Sequence, residues 1–342
     1  MNTGFVLGKF YPPHAGHHYL INEASKQVDI LVVLIWWSET ESISVTQRME
    51  ILKEVHPDVI VCHQQCEIVP DYDNPDVWAE HMELFDNGPA AKWKSYQVVF
   101  TSEDYGDELA RQLDAKHICI DPDRVNHPVS GTAIRNDPAA NWHHLAEPTR
   151  ALLTKRFVVT GAESTGTTTL TRSLAQHYNT VWVPEYGRFY TEGSGLLNHQ
   201  WTTDEFIHIV EGQHLAEDFL ARKAGPVMFC DTDALSTAVW HERYVWKRSP
   251  EVEAMIRNNY EHYFITDYKE VALEDDGLRD GDNEVRKNMQ FRLTEMILER
   301  TRQSQRTVLL GGPKMRMTHA TQIVDRQLKE GWHFNPPLGE YE

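Results

Sequence analysis

Short apolar runs alternate with amphipathic stretches along the chain, and this alternation predicts strands and helices in turn. A near-continuous apolar run such as residues 28–37 indicates a strand that is buried on both faces. Between such runs apolar residues recur at helical spacing, as in Val45–Val55. We therefore predict an α/β protein with two doubly wound parallel sheets. The length of 342 residues suggests two domains, which we place at residues 1–145 and 150–342.

The same pattern locates the individual elements of both halves. Strands are expected at 5–7, 28–37, 59–62, 96–101 and 116–121, and then at 156–160, 180–183, 227–230, 263–266 and 307–310. Helices are expected at 45–55, 77–85 and 109–113, and then at 203–221, 284–300 and 315–328.

A turn joins the first predicted strand to the first helix, and its sequence is GKFYPPHAGH over residues 8–17. Parallel sheets bind ligands beyond the carboxyl ends of their strands, next to helix N-termini. His14 and His17 are three residues apart on a first helical turn, so both can face one anion. The turn therefore predicts a phosphate-binding site.

A second motif, VSGTAIR over residues 129–135, precedes another amphipathic stretch. Ser130 and Thr132 are suited to capping a helix N-terminus. Alternatively, the two hydroxyls and the Arg135 guanidinium form a second cradle for phosphates. Two such motifs in one α/β domain favour the cradle.

These motifs resemble the GxFxPxHxGH and ISxTxIR signatures of HxGH-superfamily nucleotidyltransferases, and specifically of nicotinamide mononucleotide (NMN) adenylyltransferases. The resemblance extends over residues 2–140 and includes segments 45–49, 76–78 and 100–103. It implies that His14, His17 and Arg135 are catalytic, and that the pyridinium ring stacks on Trp78. It further implies ATP binding by Gly8, Lys9, Phe10, Ser130 and Thr132, and a phosphate contact from Arg48.

The second half opens with a strand, a loop of sequence GAESTGTT over residues 161–168, and a helix pattern. The spacing is that of a P-loop, whose backbone N–H groups cradle phosphates and whose last hydroxyl, here Thr168, reaches Mg²⁺. Thr167 stands where the motif has a lysine that bridges the β- and γ-phosphates. The loop is therefore expected to bind a nucleotide, with phosphoryl transfer in question.

This half resembles the ribosylnicotinamide kinase domain of NadR-type bifunctional enzymes, on the P-loop and on segments 185–188, 231–233 and 276–279. We expect the N-terminal DNA-binding domain of the regulatory NadR proteins to be absent. The resemblance implies a base and a Mg²⁺ ligand among Glu185 and Asp231, in an order left open. It further implies ATP binding by Gly161, Ser164, Gly166, Thr167, Thr168 and Thr169, substrate binding by Tyr186, Arg188, Asp233 and Arg279, and Mg²⁺ at Thr168 and Asp231.

Three functions are compatible with these motifs. The first is a salvage enzyme that makes NAD from NMN and ATP and also phosphorylates nicotinamide riboside. The second keeps the adenylyltransferase and makes the lysine-less P-loop domain a sensor of nucleotide or NAD. The third is another HxGH transferase, such as one that adenylylates pantetheine phosphate, against which Trp78 and the fused kinase motifs argue. The choice between NMN and nicotinate mononucleotide is open.

Charge and composition argue against some classes of binding partner. A net charge of −18 argues against a general nucleic-acid binder, which needs a basic surface. No apolar run approaches the length of a membrane span, and no signal-peptide pattern is present. Four scattered cysteines suit a reduced, cytoplasmic protein. We expect ATP as co-substrate, Mg²⁺ as cofactor, small-molecule substrates, no nucleic-acid or membrane partner, and a homo-oligomer.

Overall fold

The computed structural model describes residues 1–93, 95–194, 200–269 and 283–339. The chain forms two compact units, Arg150–Glu330 and a unit that joins Met1–Thr149 to the residues from Gly331 onward. The sequence-based division, which placed all residues after 150 in the second domain, is therefore corrected for the last segment.

The first unit contains a five-stranded parallel sheet in the order β3-β2-β1-β4-β5. The order reverses between β1 and β4, which is the switch point where open α/β sheets bind ligands. Its strands are β1 Thr3–Gly8, β2 Ile30–Trp37, β3 Ile60–Gln65, β4 Val98–Thr101 and β5 Lys116–Cys119. Its helices are α1 Ala15–Ser25, α2 Val45–Val55, α3 Pro75–Asp86, α4 Gly106–Gln112 and α5 Gly131–Asn136, and α6 Glu147–Leu153 spans the boundary.

Side chains of the central strands form the core of the first unit. Val6, Val33 and Phe100 are buried on one face of the sheet, and Phe5 and Val99 are buried on the other. Burial on both faces explains why β1 and β2 are almost wholly apolar. The sheet therefore fixes β1, and with it the start of the loop that follows Gly8.

The second unit repeats this plan with a parallel sheet in the order β10-β9-β6-β8-β7. Its first strand, β6, is central, so the loop after β6 leaves from the middle of the sheet. Its strands are β6 Lys155–Gly161, β7 Trp182–Val183, β8 Val227–Asp231, β9 His262–Thr266 and β10 Arg306–Leu309. Its helices are α7 Thr167–His177, α8 Tyr186–Ser194, α9 Thr203–Ala221, α10 Ala234–Val245, α11 Pro250–Ala254, α12 Asn283–Arg300 and α13 Pro313–Glu330.

The predicted fold class is confirmed, since both sheets are parallel and flanked by helices. The strand predicted at 180–183 is shorter and spans only Trp182–Val183. Its first two positions are irregular and follow the turn after α7, where Asn179 adopts a positive φ of 48°.

Candidate active sites

The first site begins where β1 ends and α1 starts. His14 is the N-cap of α1, and its Nδ1 accepts the Gly16 N–H at 3.2 Å. This contact places the proton of a neutral His14 ring on Nε2. A Cβ at Gly16 would lie 3.2 Å from the His14 ring, so glycine allows the close approach that the cap requires.

The two histidines of the motif lie together. Their rings stack with centroids 3.7 Å apart. Burial lowers the pKa of His14 to about 3 and holds the pKa of His17 well below its usual range, and Arg124 and Arg135 add to both shifts. His17 Nδ1 is buried and has no hydrogen-bond partner in the described part of the chain. Both imidazoles are therefore neutral. His17 lines the cavity described below, whereas His14 is buried behind it and does not line that cavity.

Arg135 joins the second motif to the first. Its Nη1 donates to the backbone carbonyl of Tyr11 at 2.7 Å, and its Nη2 donates to Thr132 Oγ1 at 3.1 Å. Ser130 caps α5 by accepting the Ala133 N–H at 3.1 Å. Capping and cradle formation are thus compatible, because the capped N-terminus of α5 faces the same cavity as the histidine loop.

This cavity has a volume of about 420 Å³ and two chemically different ends. Its polar end holds an imidazole, two hydroxyls and a guanidinium, and its other end is aromatic. Trp78 reaches it although only 7% exposed, and its Nε1 donates to the Tyr72 carbonyl at 3.0 Å. The predicted residues that line it are Gly8, Lys9, Phe10, His17, Trp78, Ser130, Thr132 and Arg135.

The phosphate contact predicted for Arg48 is wrong. Arg48 is fully buried, and its Nη1 lies 2.7 Å from Glu41 Oε2 and 2.9 Å from the Lys9 carbonyl oxygen, to which it donates. No part of Arg48 lines the cavity. Its guanidinium group instead stabilises the loop by donating to the Lys9 carbonyl oxygen. The sequence shows an arginine near a phosphate motif but not the carboxylate that neutralises it.

Sequence reasoning missed further lining residues of this cavity. Arg124 lies in the loop after β5, lines the cavity, and forms an ion pair with Glu103 at 3.2 Å. Tyr72 and Tyr105 stack with ring centroids 5.3 Å apart in its aromatic wall. The only available signal was position, because these residues precede helices or follow strands at the carboxyl edge of the sheet.

The second site is the loop between β6 and α7. Gly166 adopts a left-handed φ of 84° before the first turn of α7. A Cβ at Gly161 would lie 2.3 Å from Thr266 Oγ1 on β9, so only glycine fits there. Gly161 thus shapes the loop from beneath and does not line the cavity, whereas Gly166 does.

Thr168 and Asp231 lie together at the bottom of this site. Thr168 Oγ1 donates to Asp231 Oδ2 at 2.5 Å, and Oδ1 is buried without a hydrogen-bond partner among the described residues. Burial raises the pKa of Asp231, and hydrogen bonds from Thr168 and Thr167 oppose the shift. A hydroxyl next to a carboxylate with one free oxygen fits Mg²⁺, which prefers one or two protein oxygens together with phosphate and water.

The cavity above this pair has a volume of about 650 Å³. Arg188 lines it, and its Nε donates to Glu192 Oε1 at 2.9 Å across one helical turn. The other predicted residues in its wall are Ser164, Gly166, Thr167, Thr168, Thr169, Glu185 and Asp231.

Two predicted substrate ligands do not reach this cavity. Asp233 is fully buried, caps α10 through Ser236 and accepts the Tyr263 hydroxyl at 2.7 Å. The Tyr186 ring packs on α9, where a Cβ at Gly212 would lie 2.3 Å from it. Both predictions are corrected, because structural contacts occupy these side chains. Arg279 lies outside the described residues, as does the predicted lid at 275–280.

Two buried arginines that contact the P-loop were not among the predicted site residues. Arg286 Nε donates to the Glu163 carbonyl at 2.8 Å and its Nη2 to the Ser164 carbonyl at 3.0 Å. Arg316 donates to the carbonyls of Thr165 and Gly311 at 2.6 and 2.7 Å. Both guanidinium groups hold the loop through its carbonyl oxygens, and Arg316 also lines the cavity.

None of the described helices is long and apolar enough to cross a membrane. The described side chains include no cluster of three or more His, Cys, Asp or Glu residues that could hold a metal ion.

Two family models match this chain, one in each unit. A family model of cytidylyltransferase-like domains matches residues 5–137, and one of AAA domains matches residues 156–309. The trifunctional NAD biosynthesis/regulator protein NadR of Salmonella typhimurium is 29% identical over 87% of this chain and 77% of its own length. The nicotinamide-nucleotide adenylyltransferase of Methanosarcina barkeri is 25% identical over 42% of this chain and 83% of its own.

A solved structure has the same fold. The crystal structure of NadR protein in complex with NR superimposes with a TM-score of 0.73 at 23% identity, and the match covers 98% of each chain. The resemblance to NadR-type proteins that the motifs indicated is therefore confirmed.

Proposed function

We propose that this chain, a homologue of NadR proteins over most of its length, is an enzyme of NAD biosynthesis. In this proposal the first unit transfers AMP from ATP to NMN and releases pyrophosphate. One observation carries the proposal: the His17 imidazole, stacked on the neutral ring of His14, shares a cavity with a second phosphate cradle and an aromatic wall. The nicotinamide-nucleotide adenylyltransferase of M. barkeri resembles this same half.

The reaction needs positioning and charge neutralisation more than proton transfer. The phosphate of NMN is already anionic at pH 7 and attacks the α-phosphorus of ATP directly. A new P–O bond forms to the mononucleotide, the bond to the bridging oxygen breaks, and pyrophosphate leaves with that electron pair. His14 donates from Nε2, because its Nδ1 accepts from Gly16. His17 binds the same charge, and Arg135 with Thr132 and Ser130 holds the departing phosphates.

In the ligand-free site, neutral imidazoles can lie close together and still be ready to bind a phosphate. Burial keeps both rings uncharged, so they do not repel each other across the 3.7 Å stack. Each ring still donates one N–H to a phosphate oxygen. The permanent positive charge of the site comes from Arg124 and Arg135.

We propose that the second unit phosphorylates the 5′-hydroxyl of nicotinamide riboside. Glu185 and Asp231 both line its cavity, so either can accept the hydroxyl proton while the other holds water or metal. When bound, Mg²⁺ would neutralise charge on the transferred phosphoryl group, and Thr168 and Asp231 would hold it. Arg188 is placed to supply part of the charge that a P-loop lysine gives elsewhere.

The lysine-less loop also supports a second candidate function, a nucleotide- or NAD-sensing module. Thr167 lines the cavity and is neutral, so nothing at that position bridges the β- and γ-phosphates during transfer. The homo-oligomeric state, the cytoplasmic location and the lack of a nucleic-acid partner stay predictions.

Product analysis tests both halves in one experiment. The purified chain is incubated with ATP and Mg²⁺, and either nicotinamide riboside or NMN. NAD from both runs is the expected result. NAD from the NMN run alone would overturn the kinase assignment in favour of the sensor. In a third run with pantetheine phosphate, a preference for that substrate over NMN would overturn the assignment as an NMN adenylyltransferase.

A further inference from the structure

The segment that follows α13 belongs to the first unit, and Asn335 anchors it there. The Asn335 N–H donates to Ser42 Oγ at 2.7 Å, and its side-chain Nδ2 donates to the Thr40 carbonyl at 2.7 Å. Its carbonyl accepts the Tyr11 hydroxyl at 3.0 Å. Three hydrogen bonds on one residue fix the path of the segment although Asn335 itself is exposed.

Residues 337–339 then enter the wall of the 420 Å³ cavity. The Lys9 ammonium donates to the Leu338 carbonyl. Gly339 has a left-handed φ of 88°, and a Cβ there would lie 2.7 Å from Pro70. The backbone thus presses against the cavity rim where no other residue fits.

The location of Leu338 within the wall indicates which substrate it faces. Leu338 also borders a small recess of about 20 Å³, whose wall contains Trp36, Trp37 and His81 together with Lys9 and Glu41. Trp36 and His81 line the larger cavity as well. The rings of Trp36 and His81 stack there at 4.8 Å. This recess is on the aromatic side of the cavity, whereas the imidazole and guanidinium groups form its polar side.

We propose that Leu338 is a specificity-determining residue of the adenylyltransferase, in contact with the pyridine mononucleotide, and that Asn335 is its positioning residue. An aromatic and aliphatic wall suits the flat pyridinium ring and excludes water from it. The polar side is left for the phosphates of ATP. The inference rests on the proposed function and extends it to a segment more than 300 residues from the histidine motif.

Steady-state kinetics of the full chain test the inference. We expect Leu338→Ala to raise the KM for NMN by about tenfold, because it removes a half-buried aliphatic contact. The KM for ATP and kcat should stay within about twofold. Asn335→Ala should raise the KM for NMN in the same direction by less, since two backbone bonds of the residue remain.

Two control variants separate this role from a structural one. Leu338→Met keeps the apolar contact and should restore most of the affinity. His333→Ala alters an exposed residue of the same segment and should change neither KM. An unchanged KM for NMN in Leu338→Ala, or equal rises in the KM values for NMN and ATP, would overturn this inference. Either result would leave the proposed function intact. Absence of NAD formation by the unaltered chain would overturn the proposed function itself.

Discussion

Arg48 and Arg135 are both arginines near phosphate-binding motifs, but burial gives them different roles. Arg48 stabilises the fold, whereas Arg135 can contact a ligand. Arg48 is fully buried against Glu41, whereas Arg135 borders the cavity and bonds to Tyr11 and Thr132. Both follow phosphate-type motifs, so sequence alone assigns them the same role. The difference arises from Glu41, whose approach to Arg48 depends on how the loop after β2 folds.

Arg48→Met should destabilise the first unit by about 3–5 kcal/mol, because it leaves the Glu41 carboxylate buried without its partner. Urea denaturation monitored by tryptophan fluorescence measures the loss. The double variant Arg48→Met with Glu41→Leu should recover part of the stability, since it removes the stranded charge. An Arg48→Met variant that keeps full stability but loses ATP affinity would show that Arg48 is a phosphate ligand after all.

At the scale of elements, the loops after β1 and β6 could be predicted from the sequence. The distant side chains that hold the P-loop in place could not. Glycines, prolines and histidines marked the loop after β1, and glycines and hydroxyl residues at fixed spacing marked the loop after β6, because phosphate cradles need small residues and N–H donors in a short stretch. Arg286 and Arg316 contact the P-loop from 123 and 151 residues away in the chain. Such pairs carry no local pattern, and only the packing of α12 and α13 brings them to the loop.

The P-loop without its lysine leads to a prediction about the rate of phosphate transfer. Thr167→Lys should raise the rate of phosphate transfer to nicotinamide riboside by about tenfold or more, because it adds a cation where the β- and γ-phosphates meet. Transfer of labelled γ-phosphate from ATP measures it. Thr167→Met adds length without charge and should not reproduce the gain. No gain from lysine would show that another cation, such as Arg188, already serves the transfer.

At the scale of the whole molecule, the strand and helix alternation predicted two parallel sheets, and the structure has both. The pattern works because the central strands are buried on two faces and the helices pack on the sheets through one face. It could not place the segment after α13, which has neither strand nor helix periodicity. Backbone hydrogen bonds and the shape of the cavity rim determine its place.

Stability of the second unit should fall as the pH rises from about 4.5 to about 7. Burial raises the pKa of Glu217 to about 7 although Arg156, whose Nη1 lies 3.5 Å from Glu217 Oε2, opposes the shift. Tyr260 and Gln213 also bond to the carboxyl group. The folded unit therefore binds a proton that the unfolded chain has already released, and the free energy of unfolding declines with pH in this window.

Glu217→Gln should remove this decline and make the protein more stable than the unaltered chain above pH 7, by up to about 3 kcal/mol. Urea denaturation at pH 5, 6, 7 and 8 measures the difference between the two proteins. Glu211→Gln, an exposed change on the same helix, should leave the pH dependence as it is. A constant difference between Glu217→Gln and the unaltered chain at all four pH values would contradict the account.

The most direct test of the central claim is the rate of NAD formation from NMN and ATP by His17→Ala. The account predicts a loss of about 100-fold or more in kcat, because the variant removes a donor that binds charge in the transition state. Riboside phosphorylation by the same variant should be unchanged, and His63→Ala, at an exposed position on β3, should form NAD normally. Near-full NAD formation by His17→Ala would contradict the assignment of this site.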